Sequence, residues 1–320
     1  MKKEFVITVD LGGTKILSAL IDSNKVIQDR IKVPTDSKKG PDFLVECIAE
    51  SITELIKKNK ISNKKIRAVA MGVPGTVNPE SGIISIAPNL DIKDYNIKDA
   101  LQKYINLPIL LENDVNMAGL GIKIFEYDNK VNNMLVVFVG TGIGGALFFN
   151  GNLYRGSSFF AGEIGHMKVN EDGSLTTDSN GSSFENIASR TAIVNSIVDR
   201  SESEKTSLSK FLDKGEKIKS KSLAKAVAAN DKVVVEEMTK ACGTIGTVLG
   251  SIATLLNLDT IVLGGGVIEA NEDFMMEKIE TAFRASVFAS PGKIVKIKST
   301  KLGDDAPLFG GIGLANEFIK

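Results

Sequence analysis

Apolar positions near the start of the chain fall into short runs. EFVITVD at 4–10 reads as a buried strand, LGGTK at 11–15 as a tight turn, and ILSALID and KVIQDRIKV as further strand-like runs, so the chain opens as a β-meander. The period then changes. PDFLVECIAESITELIKKNK at 41–60 carries Phe43, Leu44, Ile48, Ile52, Leu55 and Ile56 at helical spacing, which predicts an amphipathic helix packed on that sheet. IRAVAMGVPG at 66–75 returns to a strand and a glycine turn, and YNIKDALQKYI gives a short helix. PILLENDVNMAGLG at 108–121 is a strand running into a helix that starts near Asp114.

A second half begins at NMLVVFVGTGIGGALFFNGNLYRG, 133–156, which repeats the strand, glycine-rich turn, strand device of the amino end. Residues 200–222, rich in Ser, Lys and Glu and closed by FLDKG, read as a solvated segment without chemistry. AVAANDKVVV onward to residue 259 is a long apolar helical stretch broken by glycines, and DTIVLGGGVIEA a buried strand ending in three glycines. A helix is expected at 271–284. APLFGGIGLANEFIK, 306–320, reads as a glycine hinge and a short amphipathic helix that folds back onto the first lobe. The pattern divides the chain into a small α/β lobe, 1–118, completed by 307–320, and a large α/β lobe, 119–306, with a cleft between them.

Composition narrows the function classes. With 320 residues and 43% hydrophobic content the chain can fill two cores. Lys and Arg number 39, as do Asp and Glu, so no overall field draws the protein to nucleic acid or an anionic membrane. No secretory leader or membrane span is expected, and the two cysteines, Cys47 and Cys242, suit a reducing cytoplasm.

Three glycine turns follow strands, at Asp10–Lys15, Gly140–Gly145 and Gly264–Gly266. One such turn alone is best read as a hairpin. Three together suit a nucleotide cradle, in which glycine backbone N–H groups and a Thr hydroxyl reach phosphate oxygens and Asp10 holds Mg²⁺ directly or through water. Gly140–Gly145 also satisfies G-x-G-x-x-G, but ALFFNGNLYRG after it is a strand with an Asn-Gly turn, so a dinucleotide site is not expected. No Walker A sequence occurs. Asn113 and Asp114 sit where a strand becomes a helix. Either can be an N-cap, yet the pair also offers a carboxylate to take a hydroxyl proton and an amide to fix the hydroxyl's direction. Gly162–His166 holds the only histidine, which alone is more often structural.

Taken together, DLGGTK at 10–15, GVPGTV at 72–77, APNL at 87–90, LENDVNMAGLG at 111–121, VGTGIGGALFFNGNLYRG at 139–156, AGEIGH at 161–166, FENIASRTAI at 184–193 and LGGGV at 263–267 resemble the ROK family of sugar kinases and repressors over nearly the whole chain. The resemblance implies a two-lobed, actin-like (ribonuclease H-like) ATPase fold and ATP-dependent phosphorylation of a hexose, with Asp114 as catalytic base. It implies sugar contacts from Gly75, Asn89, Asn113, Asp114, Glu163, His166 and Glu185. It implies phosphate and Mg²⁺ contacts from Asp10, Gly12, Gly13, Thr14, Lys15, Gly140, Thr141 and Gly142, and places Gly265 and Gly266 near the adenosine. A homodimer is the expected assembly.

Members of the family commonly hold a structural zinc with C-x-C-G-x-x-G-C and the E-x-G-H histidine. Here the cysteine positions read Thr176, Asp178 and Ser183, and hydroxyls with one carboxylate are poor zinc ligands, so no zinc site is expected. His166 then needs another orienting group. Glucose is the expected substrate, with N-acetylmannosamine, another N-acetylhexosamine or fructose as alternatives. A sugar-responsive repressor is disfavoured because three residues precede the first strand and the charge is balanced. A catalytically idle sugar sensor is disfavoured because Asp10, Asp114 and the glycine turns are all present.

Overall fold

The computed structural model describes residues 4–178, 180–212 and 215–319. Positions 1–3 and 320 of the expected lobe ends, Ser179 between the zinc-type positions Asp178 and Ser183, and Asp213 and Lys214 of FLDKG lie outside the described residues. The chain forms two compact units, Met1–Val131 with Leu153–Ala161 and Asp304–Lys320, and Asn132–Asn152 with Gly162–Gly303. This corrects the division at 118, which would cut through a helix of the first unit.

The first unit is built on a five-stranded sheet. Strands β1 (Phe5–Leu11), β2 (Lys15–Asp22) and β3 (Ile27–Pro34) are the antiparallel meander, and β4 (Ile66–Val73) and β8 (Ile109–Asn113) add in parallel, giving the order β3-β2-β1-β4-β8. A small antiparallel sheet of β5 (Thr76–Asn78), β6 (Ile83–Ala87) and β7 (Ile92–Asn96) is inserted after β4. Alternation in β2 sorts its side chains: Ile16 and Leu20 enter the core with helix α1 (Pro41–Lys58) and helix α2 (Ile97–Gln102), while Leu17, Ala19 and Ile21 pack against the last helix of the chain. Edge strand β3 alternates half-buried and exposed along its length and ends on Pro34, a proline that an edge tolerates.

Helix α3 (Asp114–Phe125) follows β8. The expected glycine hinge at 310–313 is instead the middle of a continuous helix, Ala306–Phe318, numbered α12 below, and it packs closely along α3. A Cβ on Gly310 would lie 1.8 Å from the Met117 carbonyl oxygen, and one on Gly121 would lie 2.0 Å from that of Ala306. These glycines let two backbones touch.

The second unit repeats the strand plan. Strands β9 (Met134–Val139), β10 (Ile143–Phe149), β11 (Asn152–Tyr154), β12 (Thr260–Gly264) and β13 (Lys296–Ser299) are ordered β11-β10-β9-β12-β13, with β9 antiparallel to β10 and parallel to β12. Asn150 and Gly151, both at positive φ, close the hairpin, as an Asn-Gly turn should. Helices α4 (Phe184–Ala188), α5 (Arg190–Ser201), α6 (Ser209–Leu212), α7 (Ser220–Ala228), α8 (Lys232–Leu256), α9 (Gly266–Ala270), α10 (Glu272–Ser286) and α11 (Ala289–Gly292) complete the unit. The long apolar stretch is two helices, interrupted at Asn230 in the left-handed region and restarted by the Asp231 cap; its glycines lie inside α8 and do not break it. By length and composition α8 could cross a membrane, but its Val, Ile, Met and Leu side chains form the core of this unit with α10.

Candidate functional site

In the first unit, three parallel neighbours end at one level: Asp10 of β1 is paired with Gly72 of β4, and Gly72 with Glu112 of β8. That row spans two strand spacings, roughly 10 Å. A Cβ on Gly72 would lie 3.5 Å from the Cα of Asp114 and 3.3 Å from Met117, so the bare strand lets the start of α3 settle over the sheet. Asp10 and Asp114 thus stand at the carboxyl ends of β1 and β8, the two strands that flank β4.

The capping question is settled by the side chains. Asn113 is the N-cap, its Oδ1 accepting from the N–H groups of Val115 and Asn116 at 2.8 and 3.0 Å. Its amide donates to the Gly75 carbonyl at 2.9 Å. Gly75 has φ +109 and could not carry a side chain, because a Cβ would fall 2.2 Å from the Ile86 carbonyl oxygen. Asp114 is the first helical residue, placed by a cap it does not supply.

Below this pair lies a buried ion network that sequence reasoning missed. Glu112 is only 2% exposed. Its Oε1 accepts from the Asn113 N–H at 3.0 Å and the Asn116 amide at 2.9 Å, and its Oε2 from Arg155 Nε at 2.5 Å. Arg155 also makes two parallel bonds to Glu317, at 2.7 and 3.0 Å. Nothing in LENDV or LYRG signals that these residues meet.

The first glycine turn is a β1–β2 hairpin in which Gly12 N–H donates to the Lys15 carbonyl at 2.9 Å. The Thr35 hydroxyl donates to the Gly12 carbonyl and its N–H to that of Thr14. Asn89, exposed on the turn after β6, lies against Gly13, where a Cβ would come within 3.5 Å. Lys15 Nζ reaches Asp304 at 2.7 Å, an exposed pair worth little and readily exchanged for another anion.

Burial pushes the Asp10 carboxyl up to about 6; the Asp304 charge adds to the rise and Lys15 opposes it. A carboxyl whose folded pKa exceeds its unfolded one favours folding at low pH and opposes it once ionised. Asp10→Asn is therefore expected to raise stability by about 2 kcal/mol near pH 7.5 in metal-free buffer, with the gain vanishing near pH 4. Urea unfolding at the two pH values checks this, and an equal gain at both would show that ionisation is not the cause.

In the second unit the Gly140–Gly142 turn is tight, Gly140 N–H donating to the Gly142 carbonyl at 2.8 Å. Apart from Gly140 and its two chain neighbours, no described atom comes within 4 Å of a Cβ placed on Gly140, so its backbone is open to a ligand. Gly265, at φ +90, packs on Val139 just before this turn, and Gly266 follows it, so the second and third glycine turns meet. Beside them is a cavity of about 1120 Å³ lined by Thr141, Arg190, Ile218, Lys221, Gly266 and Glu269 among others. The solvated segment therefore has a role not assigned from its composition, since residues 217–221 form one wall.

Glu185 joins the phosphate-type turn to the E-x-G-H segment. Its Oε2 accepts from the Ile143 N–H at 2.8 Å and would clash with any side chain on Gly142, where a Cβ would be 2.1 Å away. Gly165 packs against Ile143 and Glu185 in turn. Glu163 is pushed up by burial and by the Glu185 charge, with His166 opposing. His166 Nε2 lies 3.7 Å from the Glu163 carboxylate, beyond hydrogen-bond distance, and its ring is largely exposed. At the zinc-type positions, Ser183 caps α4 and the Thr176 hydroxyl accepts from the Asp178 N–H. These oxygens shape a loop and do not suit zinc.

A model of the ROK family matches residues 6–317. A glucokinase of Halalkalibacterium halodurans is 28% identical, over 97% of this chain and 94% of its own length. A xylose repressor of Caldicellulosiruptor bescii is 26% identical, over 97% of this chain and 77% of the repressor. The solved structure of a ROK family glucokinase from Streptomyces griseus in complex with glucose and AMPPNP is 26% identical with a TM-score of 0.81, covering 98% of this chain and 99% of that one.

Proposed function

The chain belongs to the ROK family and has its two-lobed, actin-like ATPase fold, and we propose that it is a sugar kinase that transfers the γ-phosphoryl of ATP to the 6-hydroxyl of a hexose, glucose by preference. The observation that carries this reading is the placement of Asp10 and Asp114 at the same end of one sheet, on the two strands that flank β4, the second held in place by the Asn113 cap. Similarity to glucokinases supports the substrate class.

Asp114 accepts the hydroxyl proton as the sugar oxygen forms its bond to the γ-phosphorus and the bond to the ADP oxygen breaks. Asn113 has a second amide N–H with which to fix the sugar, its first being given to Gly75. Glu163, His166 and the second oxygen of Glu185 supply partners for ring hydroxyls. The open backbone of Gly140, with Thr141 and Gly142, faces phosphate. Mg²⁺ fits at Asp10, whose half-buried carboxylate is ionised at neutral pH and lacks a direct cation bond among the described residues; when bound it neutralises phosphate charge. The 1120 Å³ cavity beside the Gly140–Gly142 turn supports a nucleotide site in the second unit.

A coupled assay of ADP release with glucose, mannose, fructose, N-acetylglucosamine and N-acetylmannosamine tests the proposal. Turnover is expected to be highest with glucose and to survive a zinc chelator. Preference for an N-acetylated sugar would overturn the substrate, and sugar binding without turnover would favour a sensor over an enzyme.

A further inference from the structure

The chain has six arginines, and five have partners that account for them. Arg30, Arg155, Arg200 and Arg284 pair with carboxylates, and Arg67 bonds Asn316 and two carbonyls at the end of α12. Arg190 differs. Its only side-chain hydrogen bond among the described residues runs from Nη2 to the Thr141 hydroxyl oxygen at 2.6 Å, which leaves most of its five donors unused. It is half-buried, lines the 1120 Å³ cavity, and no described carboxylate lies within ion-pair distance.

Its position is fixed by the glycine turn itself. Arg190 N–H donates to the Gly140 carbonyl at 2.9 Å, and the Thr191 hydroxyl donates to the Thr141 carbonyl at 2.7 Å. The guanidinium is thus anchored to the turn from which it would act. A second consequence follows for Thr141. A hydroxyl that accepts from Arg190 must turn its own O–H elsewhere, and the cavity is what Thr141 lines.

We propose that Arg190 and Thr141 act as one unit that binds the phosphate chain of the donor nucleotide, the guanidinium supplying a planar, permanently charged fork and orienting the Thr141 hydroxyl to donate beside it. The proposal rests on the kinase reading and assigns to that site a guanidinium, which neither the glycine turns nor the E-x-G-H segment supplies. A guanidinium suits phosphate oxygens because two parallel N–H groups match two oxygens, which a lysine cannot do.

Calorimetric titration of the full chain with ATP, ADP and adenosine tests it. Arg190→Ala is expected to weaken ATP and ADP by about 10- to 100-fold, the range for hydrogen bonds to charged groups, and to leave adenosine unchanged. Arg190→Lys should fall between, retaining charge but not the fork. Adenosine binding doubles as the check that each variant has kept its cavity, and Arg190→Met serves if the alanine variant does not fold. Unchanged ATP affinity in these variants would overturn the proposal. So would an equal loss for ATP and adenosine, which would make Arg190 a wall of the cavity and not a phosphate ligand. Failure of the unaltered protein to bind ATP would instead remove the kinase reading and this proposal with it.

Discussion

Replacing Asp114 with alanine is expected to lower turnover by about 10²- to 10⁴-fold, the contribution of a positioned base, while the protein stays folded. The fold should survive because Asp114 is not the cap of its helix. Asn113 accepts from the N–H groups of Val115 and Asn116 and keeps the cap, so the substitution removes an acidic residue from the first turn, worth about 0.3–1 kcal/mol, and the contact of its Oδ1 with the Val115 N–H, which Asn113 shares. Asp114→Asn should behave similarly in turnover, since the amide keeps the shape but cannot take a proton at neutral pH. Sugar affinity, measured without nucleotide, should change far less than kcat in both. Near-normal turnover in the folded alanine variant would refute the assignment. Asn113→Ala offers the contrasting case, because it removes the cap and should cost about 1 kcal/mol of stability as well as activity.

The second large effect is on stability. Arg155→Ala is expected to cost about 3–5 kcal/mol, because it leaves Glu112 buried with its charge uncompensated. The arginine ties three separate pieces of the first unit together: strand β8 through Glu112, the returning segment Leu153–Ala161 in which it lies, and α12 through Glu317. Its guanidinium also sits 5.4 Å from the ring centroid of Phe318. A double variant, Glu112→Gln with Arg155→Met, should recover much of the loss, since a neutral amide still accepts from Asn113 N–H and an apolar chain replaces the stem. Urea unfolding of the three proteins separates the terms. A loss below about 1 kcal/mol in Arg155→Ala would place this pair with surface ion pairs, which contribute little.

These two expectations differ in how far they were readable beforehand. The Asp114 assignment came from a strand ending, two short polar residues and a resemblance, all local in the chain. The Arg155 network joins residues 43 and 162 positions apart, and no periodicity reports such a pairing. The same holds for Arg190, whose bond to Thr141 crosses 49 positions. The lysine-rich stretch near residue 217 reads as a solvated face from composition, and most of its side chains are indeed exposed; that it walls a cavity depends on where α5 and α9 stand.

By itself the sequence determined the local elements and their faces: the meander, the α1 stripe, the Asn-Gly hairpin and the repeated glycine turn. Each follows from periods of two or 3.6 residues and from the backbone freedom of glycine, which act over a few residues. Only the tertiary structure decided which of Asn113 and Asp114 caps the helix, because both are competent caps and the choice depends on side-chain geometry. Only it showed that the glycines of α12 are a packing face and not a hinge, since a close backbone approach requires a partner, here Met117 of α3. The discontinuous first unit, with Leu153–Ala161 returning to it, has the same origin. An apolar or charged position announces that it will be covered or paired, but the covering residue is chosen by the path of the whole chain.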